Sequence, residues 1–151
     1  MASEDVEPYR ALVRELPMVM VNHAAYQRTR GGDVPATASA FWVTKILRGK
    51  LGYRGIIFSD DLEMGGILKR MPMEDAAVAA VRAGMDTLEI CHSPELILRA
   101  YEGLLREAER SAAFRRMVEA RAREVSRKRT RLLGAGAGRA STEYEDGDPH
   151  R

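Results

Sequence analysis

The sequence predicts an α/β fold built from parallel strand–helix units, and three observations carry that reading. Three short apolar runs, Met18-Val19-Met20-Val21, Gly55-Ile56-Ile57-Phe58 and Thr87 to Cys91, have the length and residue types of buried strands. A helical pattern follows each run, long enough for the crossover that parallel neighbours require. Polar residues collect just past each run: Asn22 and His23, then Asp60 and Asp61, then His92. Parallel α/β folds build their sites at the carboxyl ends of strands, so these three positions are the first place to look for chemistry.

Each element has its own local signal. Residues 6–16 read as a short helix because Tyr9, Leu12, Val13 and Leu16 recur at helical spacing, and Pro17 ends it. After the first strand, residues 27–35 hold two arginines and a Gly-Gly pair, which are turn signals. Thr37 or Ser39 is placed to cap a helix whose apolar stripe is Phe41, Trp42, Ile46, Leu47 and Leu51, with Gly52 at its end. The strand over 55–58 follows and stops on Ser59, Asp60 and Asp61. Glu74 and Asp75 then sit where the positive end of a helix dipole favours acids, and that helix stops at Gly84. Past the third strand, Ser93 and Pro94 suit the N-cap and first position of a helix over 95–110.

The last third changes character. Residues 112–133 form a helix with arginines at 115, 116, 121, 123, 127, 129 and 131, and a narrow stripe of Phe114, Met117, Val118 and Val125. From Gly134 the run GAGAGRASTEYEDGDPHR is glycine-rich and then acidic, the composition of a disordered tail. The expected organisation is therefore strand–helix units over 1–111, a basic helix over 112–133 and a tail over 134–151.

Totals narrow the function. With 45% hydrophobic and 30% charged residues, a packed core is expected rather than disorder. A net charge of +2 does not by itself imply a nucleic-acid partner, and the acids between the arginines of residues 112–133 favour a solvated outer helix. No apolar run approaches the roughly 18 residues of a membrane span. The acidic, polar start MASEDVEPYR lacks the pattern of a secretory signal, so the cytoplasm is the expected compartment. A single cysteine, Cys91, excludes an intrachain disulfide and a multi-cysteine zinc site. The GAGAG run follows a helix rather than a strand and no Lys-Ser or Lys-Thr comes after it, so it is not a phosphate loop.

Read from residue types alone, Asp60 is more often a turn or cap residue than a catalyst. Asp61 is expected to be structural, because adjacent residues of an extended segment point to opposite sides. His23 and His92 are each expected to be satisfied packing residues, and Glu89 needs a partner if it is buried.

A resemblance changes that balance. The segments MVMVNHAAY, PATASAFWVTKILRGKLGYRGIIFSDDLEMGG and AAVAAVRAGMDTLEICHS resemble three successive segments of the glycoside hydrolase family 3 catalytic domain, with EPYR suiting the helix before them. The likeness is to its β-N-acetylglucosaminidase branch, which acts on peptidoglycan fragments, and it covers roughly residues 6 to 132. It implies the last three strand–helix units of a TIM-type (β/α)₈ barrel. It implies that Asp60, directly after the serine, is the catalytic nucleophile of a retaining glycosidase, with His23 lining the sugar pocket. No cofactor or metal is implied, and the partner is a glycan containing N-acetylglucosamine.

The departure from the family is as informative. A barrel of this type takes about 250 residues, and its Lys-His-Phe-Pro-Gly-His-Gly segment, with the His–Asp proton donor, does not occur here. The expectation is the C-terminal portion of such an enzyme, inactive alone. Open sheet edges would lead it to self-associate or to associate with the remaining barrel portion. The alternatives are a β-glucosidase-like member of the family and a non-catalytic half-barrel that binds a partner or nucleic acid through its basic helix.

Overall fold

The structure is a computed structural model that describes residues 6–136. The expected tail lies outside the described residues from position 137 onward. Helix α1 spans Glu7–Leu12, strand β1 Met18–Val21, a 3₁₀ turn Ala36–Ala38 and a π-wound helix Phe41–Lys50. There follow strand β2 Ile56–Asp61, helix α2 Gly65–Leu68, helix α3 Met73–Ala83, strand β3 Thr87–Glu89, helix α4 Pro94–Arg110 and helix α5 Ala112–Gly136.

The three strands form one parallel sheet in the order β1-β2-β3. Each strand therefore sits beside the next in sequence, the commoner arrangement for consecutive elements. Val19 pairs with Ile57, and both bury against Val43, Leu47, Ala80 and Met85. The neighbouring pair Met20 and Phe58 points to the other face, where Met18 and Met20 remain exposed. A second cluster of Leu62, Ile67, Met73, Ala76, Ala77 and Ala100 packs α2, α3 and α4 beyond the strand ends. Full burial of side chains such as Ile57 and Ile67 contributes about 1.5–3 kcal/mol each, several times what an exposed ion pair does.

Three local expectations are revised. The helix over 41–50 is wound with π hydrogen bonds, as in Leu51 N–H to Ile46 O at 2.9 Å. Its apolar positions already carry that spacing, since Phe41, Ile46 and Leu51 lie five apart, as do Trp42 and Leu47. Neither Thr37 nor Ser39 caps this helix through its side chain, because Thr37 Oγ1 turns back to the end of β1. Strand β2 runs on through Asp60 and Asp61 rather than stopping at Phe58, and Leu62 N–H extends the contact to Glu89 O at 2.9 Å.

Helix α5 differs most from its expected solvated role. Arg121 reaches inward to donate to Gly84 O at 3.1 Å and to Asp86 Oδ1 at 2.9 Å, and Lys128 donates to Gly55 O at 3.1 Å. The helix also continues through Gly136, three residues past its expected end. No helix among the described residues is long and apolar enough to cross a membrane.

Helices α3 and α4 approach closely because Gly103 faces the backbone of Glu74, where a Cβ would stand 2.8 Å from Glu74 Cα and O. Around this contact Arg99 grips Glu74 with two bonds of 2.9 and 3.0 Å, and the buried Glu107 takes Arg82 and Arg110. The Arg99 hydrogen bonds hold the Glu74 carboxyl below its ordinary 4.5. Replacing Gly103 with alanine is expected to cost about 1–3 kcal/mol in urea unfolding, since backbone atoms cannot yield as a side chain would. The Glu74 contribution is present above its unfolded value and lost as pH falls through the lowered one. Arg99→Leu is therefore expected to flatten the decline of stability on acidification, measured by denaturant midpoints at stepped pH.

Candidate active site

The carboxyl end of β2 does not keep a regular ladder. Phe58 pairs with Thr87 while Asp61 pairs with Glu89, so three steps on β2 face two on β3 and one residue bulges. A bulge orphans a ladder donor, and here the fully buried Ser59 answers it, its Oγ accepting Glu89 N–H at 2.9 Å. Glu89 is thus held by its backbone, and its half-buried side chain carries none of the ion pairs found among the described residues.

Asp60 projects from this bulge, half-buried. Its Oδ1 accepts Asp61 N–H at 2.9 Å, which leaves Oδ2 without a protein donor among the described residues. No ion pair to Asp60 forms among the described residues, whereas Glu74, Asp86 and Glu107 are each matched by an arginine. Asp61 is occupied by the loop. Its Oδ1 accepts Glu63 N–H at 3.0 Å, an Asx turn that starts the chain toward α2.

His23, expected among the sugar contacts, is 7% exposed and gives both ring nitrogens to the protein. Nε2 lies 2.9 Å from Asp61 O and Nδ1 lies 2.8 Å from Thr37 Oγ1. His92, expected to be a packing residue, is exposed, with Nδ1 3.0 Å from Glu63 Oε2 and 3.6 Å from Asp61 Oδ2. Glu63 also accepts Ser93 N–H at 2.6 Å, tying the loop after β2 to the start of α4. Thr37, Ser59 and Glu63 carried no sequence signal for these roles, because their partners lie 14 to 30 residues away.

Asp61, Glu63 and His92 place one donor atom each within 4.8 Å of one another, a set that borderline divalent cations accept. The contacts already described tie all three groups into the loops. Cys91 is a poor nucleophile: partial desolvation and then the Asp61 and Glu89 carboxylates push its thiol up. A cavity of about 220 Å³ between α1, β1 and the π-wound helix is lined mainly by apolar groups, Val19, Trp42, Ile46 and Leu51 among them. It does not include Asp60. The strand-end carboxylate, rather than this cavity, is the chemically equipped feature.

Residues 1–127 match the family described as Glycosyl hydrolase family 3 N terminal domain. The chain is similar to the Beta-hexosaminidase of Alkalilimnicola ehrlichii, 40% identical over 94 residues that cover 62% of this chain and 26% of that one. Among solved structures it is similar to the Beta-N-acetylhexosaminidase of Beutenbergia cavernae, with a TM-score of 0.75 and 26% identity over 82% of this chain and 37% of the other. The glycoside hydrolase family 3 beta-N-acetylglucosaminidase of a Paenibacillus species gives a TM-score of 0.70 and 30% identity over 95% of this chain and 27% of the other. The chain thus spans between about a quarter and two fifths of these proteins' lengths.

The bulge makes Ser59 a sharp test of the strand end. Ser59→Ala leaves the part-buried Glu89 N–H without its acceptor and is expected to cost about 1–3 kcal/mol in denaturant unfolding. Ser59→Thr, which keeps the hydroxyl, is expected to lose less.

Proposed function

The chain belongs to glycosyl hydrolase family 3, and we propose that it is the part of a retaining β-N-acetylhexosaminidase that carries the nucleophile, Asp60. The observation that carries this reading is the placement of Asp60. It stands at the carboxyl end of the central strand of a parallel sheet, half-buried, with one oxygen held and the other free. A turn residue would be expected to satisfy its neighbours; this carboxylate is left available.

In the proposed reaction Asp60 Oδ2 attacks the anomeric carbon of a terminal N-acetylglucosamine. The carbon–oxygen bond to the leaving group breaks, and that oxygen takes a proton from an acid group outside this chain. Water then attacks the glycosyl-aspartate, giving its proton to the same group, now the base, and Asp60 returns as carboxylate. The Asp61 N–H holds Oδ1 and so fixes which oxygen faces the sugar. Peptidoglycan-derived glycans are the proposed substrate class.

The test uses a nitrophenyl N-acetyl-β-glucosaminide with the purified chain, alone and with a polypeptide supplying the remaining barrel units. No nitrophenol release is expected from the chain alone, and release is expected from the assembly, falling at least ~10³-fold with Asp60→Asn. Release by the chain alone, lost in Asp60→Asn, would contradict the dependence on an outside acid. Full activity of the Asp60→Asn assembly would remove Asp60 as nucleophile.

A further inference from the structure

We infer that His23 is a positioning residue, which holds Asp61 so that its N–H meets Asp60 Oδ1. The inference rests on the reading of Asp60 as the nucleophile for its consequence, and on geometry alone for its substance.

A carbonyl oxygen only accepts, so the 2.9 Å contact to Asp61 O requires the hydrogen on His23 Nε2. The imidazole therefore donates to the backbone of the residue whose own N–H donates to Asp60. On the opposite edge of the ring, Nδ1 meets Thr37 Oγ1 at 2.8 Å. That hydroxyl also lies 2.8 Å from Asn22 O and 3.0 Å from Val21 O at the end of β1, and its one hydrogen is donated to a single partner at a time. A continuous path runs from the end of β1 through Thr37 and His23 to Asp61 and then to Asp60.

Gly66 at the start of α2 packs against the base of this side chain, where a Cβ would stand 3.0 Å from His23 Cβ. With the imidazole buried and both nitrogens engaged, a sugar hydroxyl finds no free polar atom on it. Its effect on the reaction passes through the Asp61 backbone. The bulge explains why such a brace is needed: where the ladder between β2 and β3 is broken, strand pairing alone no longer fixes the orientation of the Asp60–Asp61 segment.

The experiment follows amide hydrogen exchange by NMR in the full chain, comparing Asp61 N–H with Ile57 N–H, which bonds to Asp86 Oδ2 at the other end of β2 and shares no peptide group with the Asp61 carbonyl. In His23→Phe, which keeps a ring and removes the donor, the Asp61-to-Ile57 ratio of exchange rates is expected to rise about tenfold, the equivalent of one net hydrogen bond. Thr37→Val, which keeps the imidazole and removes only its Nδ1 partner, is expected to raise the ratio less, and Thr37→Ser to restore it. Should His23→Phe fail to fold, the Thr37 pair decides. A ratio unchanged in the folded variants, with both amides moving together, would mean a merely structural histidine and overturn the inference. In the assembled glycosidase the same variants are expected to lower kcat with KM held. A shifted ratio in an assembly indifferent to Asp60→Asn would sink the nucleophile while leaving the positioning contact intact.

Discussion

The fold turns on a buried carboxylate at the opposite end of the sheet from the site. Asp86, whose side chain is 1% exposed, precedes β3 and accepts from Ile57 N–H at 2.9 Å, from Arg121 and from Arg48. A charge so far from water is tolerated only when its partners are complete, and removing one arginine would leave the rest uncompensated. Arg48 comes from the π-wound helix and also donates to Gly55 O at 2.7 Å, and Arg121 comes from α5. One carboxylate thus binds the central strand, a crossover helix and the C-terminal helix. Gly55 completes this end, since a Cβ there would collide with Tyr53 and with Pro17 O, and the buried Tyr53 hydroxyl is pushed up to about 12.

With the amino ends of the strands fixed this way, the carboxyl ends are braced by a different device. There the contacts are single hydrogen bonds between successive loops: Ser59 to Glu89, His23 to Asp61, and Glu63 to Ser93. None of them neutralises Asp60. Asp86 at the amino ends is fully compensated, whereas Asp60 stands without an ion pair among the described residues at the carboxyl ends, where parallel α/β folds place their sites.

Two apolar surfaces complete the picture. Met18 and Met20 line the exposed face of β1, on the side that a closed barrel turns inward. Helix α4 carries Ile97, Leu98, Tyr101 and Leu105 as a continuous stripe, each 44% exposed or more. Exposed apolar stripes of this kind favour association.

Much of this architecture was legible from periodicity and punctuation. Short apolar runs separated by helical stripes pointed to parallel strand–helix units, because crossovers demand those lengths, and the family resemblance pointed to successive neighbours. Gly84, with φ of +119°, and Ser93, whose Oγ accepts Leu96 N–H, ended and began helices where local chemistry said they would. The Ser-Asp-Asp stretch marked the strand end that carries the candidate nucleophile. What the chain could not announce were contacts between distant residues: the inward turn of Arg121, the bulge that puts Ser59 under Glu89, and the engagement of His23 by Thr37 and Asp61. Local preference acts over a turn or a strand, whereas an arginine is solvated or buried according to a carboxylate that lies 35 residues away. Only the folded sheet brings such partners together, and it alone decided which polar groups serve the scaffold and which carboxylate oxygen stays free.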